Sequence, residues 1–276
     1  MQVMSGKEVS TAIYADLQTR TEAFVQTYGY APTLAVVLVG NNPASQSYVL
    51  SKKKACLSLG FGHLDYSLSE ETTQEELLQL VKDLNANPSV HGILVQLPLP
   101  AHMDSEAVIE TIDQHKDVDG FHPMSIGKLL IGLPTFVSCT PLGVLTMLDH
   151  YKIETAGKNV VIVGRSNIVG RPLANLLSHK SIPGDCTVTI CHSHTKNIKE
   201  LTLQADIIVA AYDSKQTPEV FYKMGVDTLT EEQLAGATPL VGEEGIVKLK
   251  IPAGGIGEQR FAGLIKIKAP DGIWVV

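Results

Sequence analysis

The chain has 276 residues, carries 22 Lys and Arg against 29 Asp and Glu for a net charge of −7, and is 44% hydrophobic and 18% charged. At ~150 residues per domain this length predicts about two domains, and the composition excludes a disordered chain. The acidic balance speaks against nucleic acid or an anionic membrane as partner, so any phosphate ligand must be met by local positive groups.

Leu34 to Val39 (LAVVLV) is a continuous β-branched run, as expected of a parallel strand buried on both faces. Ser45 to Leu59 reads as a helix and Phe61 to Leu68 as an extended segment. A second helix, Thr73 to Asn85, opens with the capping box Thr73-x-x-Glu76, and Gly92 to Leu97 returns to strand. After a helix at about Leu142 to Tyr151 the alternation repeats: strand Asn159 to Val163, helix Gly170 to Ser178, and strands Cys186 to Cys191 and Asp206 to Ala210. Strands separated by helices imply right-handed βαβ units, so the fold class is α/β with mostly parallel sheets. A boundary near Pro134 to Pro141 divides it into domains 1–138 and 139–276. Beyond Ala211 the pattern weakens. A helix at Glu231 to Leu234 and alternating runs at Gly245 to Ile251 and Leu264 to Lys268 are expected there, with no rule to say whether they extend the same sheet.

Cys56, Cys139, Cys186 and Cys191 are too scattered for a small disulfide framework or a zinc site, which fits a reducing compartment. The N-terminal stretch lacks the apolar core of a signal peptide, and no apolar run approaches the ~20 residues needed to cross a bilayer. A cytoplasmic protein is expected.

Val160 to Pro172 (VVIVGRSNIVGRP) places a strand, a tight turn and a helix start in succession. Free backbone N–H groups and the positive end of a helix dipole there suit a dinucleotide pyrophosphate. The glycines are Gly164 and Gly170, with Ser166 between, rather than the usual G-x-G-x-x-G. The next strand ends in Ile190-Cys191-His192-Ser193-His194-Thr195-Lys196 and lacks the acid that grips the ribose in NAD sites. Arg165 and Ser193, with Arg171 or Lys196, suit a 2′-phosphate instead, which favours NADP. His192 and His194 have no third ligand at a matching position, so no metal is expected, and Ser166 is not in a nucleophile elbow.

Tyr48 and Lys52 lie four residues apart, on one face of the first predicted helix. A partly desolvated lysine beside a tyrosine can act as acid, base or polarising cation. The alternative is that Lys52-Lys53-Lys54 is simply a solvated helix face. In Val95-Gln96-Leu97-Pro98-Leu99-Pro100 a glutamine ends a parallel strand, the position where open α/β sheets bind ligands, so Gln96 is expected to point into a cleft. Lys116 to Pro123 (KDVDGFHP) offers two carboxylates, Asp117 and Asp119, either of which can grip the N–H edge of a heterocycle or serve an Asx turn or a helix cap.

Together SQSYVLSKKKACLSLGF, GILVQLPLP, KDVDGFHP, SCTPLGV and VVIVGRSNIVGRP followed by TVTICHSHT resemble the bifunctional methylenetetrahydrofolate dehydrogenase/methenyltetrahydrofolate cyclohydrolase family. The resemblance runs in order over about residues 1 to 211. It implies an N-terminal folate domain and a C-terminal Rossmann-like NADP domain facing each other across a cleft, usually as a homodimer. It also implies that Lys52 is the central catalytic group, that Tyr48 flanks the one-carbon unit with it, that Gln96 supports the lysine, and that Asp119 grips the pterin. Arg165, Ser166 and Ser193 match cofactor-binding positions. Ser138 stands where the family usually has proline. Past Ala211 the family's tail motifs survive only as echoes, at Gly236-Ala237-Thr238 with Val241-Gly242 and at Pro252 to Gly257. The implied hydride transfer depends on that tail, whereas the implied cyclohydrolase chemistry rests on the Lys52 side. Two other readings stand beside this one: a different two-domain NADP oxidoreductase with a catalytic lysine, and a folate- or NADP-binding protein whose altered tail has cost it turnover.

Overall fold

The computed structural model describes residues 2–213, 261–269 and 272–275. In chain order the elements are β1 (Gln2–Val3), α1 (Gly6–Tyr28), β2 (Thr33–Val39), α2 (Pro43–Ser58), β3 (Gly62–Leu68), α3 (Gln74–Ala86), β4 (Gly92–Val95), α4 (Ser105–Thr111), α5 (Pro123–Leu130), α6 (Cys139–His150), β5 (Asn159–Val163), α7 (Gly170–Ser178), β6 (Thr187–Cys191), α8 (Ile198–Gln204), β7 (Ile207–Asp213), β8 (Phe261–Ala269) and β9 (Gly272–Val275). Of the described residues, Ser10–Ser138 form one compact unit, and 2–9 group with 139–213, 261–269 and 272–275 as the other.

In the Ser10–Ser138 unit three parallel strands lie in the order β3-β2-β4. β2 is central, which is why its apolar run has no polar alternation: Ala35, Val36 and Val37 are all at most 1% exposed. One face packs on Leu77, Val81 and Leu84 of α3 with Val108 of α4. Truncating a fully buried leucine such as Leu77 in a core of this kind costs about 2–5 kcal/mol. The capping box forms as its sequence predicts, with Thr73 Oγ1 accepting from Glu76 N and a Glu76 carboxylate oxygen accepting from Thr73 N. At the other end of α3 the Lys116 ammonium donates to the carbonyls of Leu84, Asn85 and Asn87, at 3.1, 2.7 and 2.8 Å. These include Asn85 O, in the last turn, where helix carbonyls run out of internal partners.

The second unit is a six-stranded mixed sheet in the order β1-β9-β8-β7-β5-β6. β5 pairs parallel with β6 and β7, whereas β8 is antiparallel to both β7 and β9. The alternating run at Leu264 to Lys268 therefore does extend the Rossmann-like sheet, but in the antiparallel sense. Its core joins Val160 and Ile162 of β5 to Leu173 and Leu177 of α7 and Ile207 and Val209 of β7. The helix expected at Glu231 to Leu234 and the run Gly245 to Ile251 lie outside the described residues. α1 carries no sequence signal because little of it is covered: of its 23 residues only Val9 and Thr21 are buried. The short helices α4, α5 and α8 were equally without a periodic pattern, being one to two turns long.

Candidate active site

α2 begins where Asn42 Oδ1 accepts from Ala44 N and Ser45 N, with Pro43 in its first turn. That start sets the phase of the helix. Lys52 and Tyr48 fall on one face as the spacing requires, and the Lys52 ammonium stands 4.3 Å from the Tyr48 ring centroid, a cation–π contact between half-buried groups. The lysine run is not one solvated face: Lys53 turns to β3 and pairs with Asp65, and only Lys54 is exposed. One turn beyond Lys52 lies Cys56, whose thiol is pushed up by burial and pulled back by Lys52. Its i+4 spacing was the available sign of that neighbourhood.

β4 ends at Val95, one pair before the prolines, and Gln96 continues the ladder through its N–H to Val37 O at 2.8 Å. The Gln96 side chain is buried, at 6% exposed. Its Nε2 donates to Leu97 O at 2.7 Å, while Oε1 is buried with no donor. An orphaned acceptor of this kind costs about 1–3 kcal/mol until a donor reaches it.

The two carboxylates of the KDVDG turn separate into different tasks. Asp117, 1% exposed, accepts from Phe121 N, His122 N and Ser125 Oγ, so it performs the turn-and-cap role that the sequence left open for either residue. Asp119 remains half-buried, and burial holds its carboxyl above the usual carboxylate range, with Lys52 pulling it down and Asp117 pushing it up. Lys52, Tyr48 and Asp119 are thus brought into one electrostatic neighbourhood. Gly120 completes the turn at φ +67°, and a Cβ there would stand 2.7 Å from Phe136 O.

In the other unit the strand–turn–helix forms as expected. Gly164 N donates to Cys191 O at 2.8 Å, and α7 starts at Gly170. Gly170 passes so close to the turn that a Cβ would sit 2.2 Å from Gly164 O, so only glycine lets the helix N-terminus reach this position. Ser166 Oγ accepts from Val169 N at 3.1 Å and Gly170 N at 3.4 Å, and so caps the helix start. Arg165, Ser166 and Ser193 are exposed. Partial burial, Arg165 and His194 together hold His192 below its ordinary pKa, which places the Arg165 charge beside the end of β6. The turn's amide groups, a glycine-only approach and an exposed guanidinium with no acid at the strand end fit a phosphorylated dinucleotide. Among the described residues no group of three or more His, Cys, Asp or Glu could hold a metal ion.

A three-stranded parallel unit carrying a lysine–tyrosine–carboxylate neighbourhood, joined in one chain to a Rossmann-like unit with a phosphate-binding turn, defines a two-domain α/β enzyme of the dinucleotide-dependent class. The model of the tetrahydrofolate dehydrogenase/cyclohydrolase catalytic domain matches residues 4–119, and that of the family's NAD(P)-binding domain matches residues 138–219. The chain belongs to this family. It is 43% identical to a bifunctional protein FolD of Chlorobium phaeobacteroides over 284 residues, 96% of each chain, and 48% identical to that of Campylobacter concisus over 244 residues, 86% of this chain and 84% of the other. The bifunctional methylenetetrahydrofolate dehydrogenase/cyclohydrolase of Campylobacter jejuni has a similar structure, with a TM-score of 0.75 at 40% identity, covering 94% of this chain and 89% of that one. The Trypanosoma brucei enzyme, solved with NADP cofactor and inhibitor, gives a TM-score of 0.72 at 35% identity, covering 77% and 72%. A model of a different kind, the GldM second domain, matches residues 201–275, starting close to where the family motifs give way.

Proposed function

We propose that the chain oxidises methylene-tetrahydrofolate to methenyl-tetrahydrofolate with NADP and hydrolyses the methenyl form to formyl-tetrahydrofolate, in one-carbon metabolism. The observation that carries this reading is the Lys52 ammonium over the Tyr48 ring, acting at the same time on the Asp119 carboxyl. In it, residues 1–138 take the folate and residues 139–276 the dinucleotide.

Lys52 Nζ is the proton-moving group: the ammonium first gives a proton to solvent, and the neutral amine so formed takes the proton that water gives up on adding to the methenyl carbon. Tyr48 holds the ammonium over its ring face and packs against the one-carbon unit. The buried Gln96 Oε1, which has no donor in the chain by itself, is the acceptor open to a Lys52 N–H when the site is filled. Asp119 accepts from the N–H edge of the pterin. On the dinucleotide side, amide groups inside the turn, from Arg165 to Asn167, and the Ser166 hydroxyl bind the pyrophosphate, and Arg165 with Ser193 binds the 2′-phosphate. NADP, when bound, supplies the two-electron oxidant of the dehydrogenase step. The same reading makes the protein a cytoplasmic homodimer that works on small molecules, without nucleic-acid or membrane partners.

One assay tests it: methylene-tetrahydrofolate with NADP or NAD, followed at the methenyl and NADPH absorbance bands. Turnover with NADP preferred over NAD is expected, and activity on small hydroxy acids without folate turnover would reject the reading.

A further inference from the structure

Asp117 has no place in the ligand-binding set above, yet its carboxylate, two residues before Asp119, is bonded to the residues that follow Asp119. It accepts from Phe121 N at 3.3 Å, His122 N at 2.9 Å and Ser125 Oγ at 2.8 Å. These donors come from the residues after Asp119 and from the first turn of α5. One buried side chain therefore draws the helix start and the turn together around the residue between them. The backbone closes the same loop, Gly120 N donating to Asp117 O at 3.2 Å. Lys116 anchors its beginning to the end of α3, and Gly120 leaves no space against Phe136 O at its far side. A buried carboxylate is tolerated here because three donors and the positive end of the α5 dipole meet it.

We propose that Asp117 is a positioning residue for folate binding, which aims the Asp119 carboxylate at the pterin by clamping its turn onto the N-terminus of α5. The proposal rests on the assignment of Asp119 to the pterin. Asp117 does not touch the ligand; its whole effect passes through Asp119. The groups that act on the Asp119 charge are Lys52 from α2 and Asp117 from the turn itself, so removing the Asp117 charge changes the field at Asp119 as well as its aim.

The test is a double-mutant cycle read by calorimetric titration of the full chain with tetrahydrofolate, with NADP as the control ligand. Asp119→Ala is expected to weaken tetrahydrofolate binding about 10- to 30-fold, the loss of a charge-assisted hydrogen bond. Asp117→Asn, which keeps the shape and one acceptor, is expected to weaken it about 5-fold and leave NADP binding unchanged. Introduced on top of Asp119→Ala, it should add less than about 2-fold, because a residue that acts through another loses its effect when that other is gone. Ser125→Ala removes one donor, leaves the charge, and follows the same non-additive pattern with a smaller effect, so it decides the matter if the Asp117 variant does not fold. A full additional loss in the Asp119→Ala background, or an equal loss for NADP, makes Asp117 a general structural residue and overturns the proposal. Unchanged tetrahydrofolate binding in Asp119→Ala alone overturns the assignment of Asp119, and this inference with it.

Discussion

Around Lys52 the protein commits side chains, while at the Gly164 to Gly170 turn it commits backbone. Tyr48, Lys52 and Asp119 are half-buried and Gln96 is almost wholly so, each held by a helix, a strand end or a clamped turn. Arg165, Ser166 and Ser193 are exposed, and what is fixed among them is the path of the main chain. The contrast follows from the chemistry each region serves. Moving a proton at one atom needs charges in a poorly screened setting, where a few ångströms change energies by several-fold. Binding a phosphate needs amide groups and a helix end, which work at a surface and leave the remaining attraction open to salt.

Each side of this contrast can be broken separately, and the largest effect is expected at the lysine. Lys52→Met should lower the cyclohydrolase rate about 1000-fold, the middle of the range for a positioned acid or base, without changing NADP affinity. A retained rate would remove Lys52 from the mechanism. Gly170→Ala is the matching blow to the backbone site: its Cβ meets Gly164 O at 2.2 Å, so overpacking should cost about 1–3 kcal/mol in a denaturant midpoint and weaken NADP, with tetrahydrofolate binding unaltered. Arg165→Gln should raise the KM for NADP about 10-fold and leave that for NAD nearly unchanged, and added salt should shrink the wild-type preference; an equal rise for both cofactors would place the guanidinium elsewhere.

The smallest effect sharpens the buried side. Burial, opposed by Lys52 and aided by Asp117, gives Asp119 a raised pKa, so the folded chain holds this proton more tightly than the unfolded chain. The stability it contributes is fully present below the unfolded aspartate value of ~3.9 and is lost as pH rises through the folded-state value. Asp119→Asn has no such loss. Its Tm relative to wild type should therefore climb with pH and then level off, and a difference independent of pH would contradict the raised pKa.

Much of this was readable from residue order. The β-branched runs of β2 and β5 are buried on both faces, so they carried their own signal, and the Thr73–Glu76 box marked the start of α3 to the residue. The pairing of Tyr48 with Lys52 followed from helix geometry. The division of labour between Asp117 and Asp119 did not, because both residues suit either role and the choice is made by Ser125 and two backbone N–H groups up to eight residues away. α1 was missed because a largely solvated helix needs no apolar stripe.

The Ser166 hydroxyl illustrates how a cap can dictate the polarity of a ligand. Both lone pairs of its oxygen are already taken by the amides of Val169 and Gly170. The single hydrogen is all it has left to offer, so whatever meets this serine has to receive rather than give. A phosphoryl oxygen or a carboxylate satisfies that condition and an amino group fails it, a filter imposed by one atom's valence before shape or net charge is consulted.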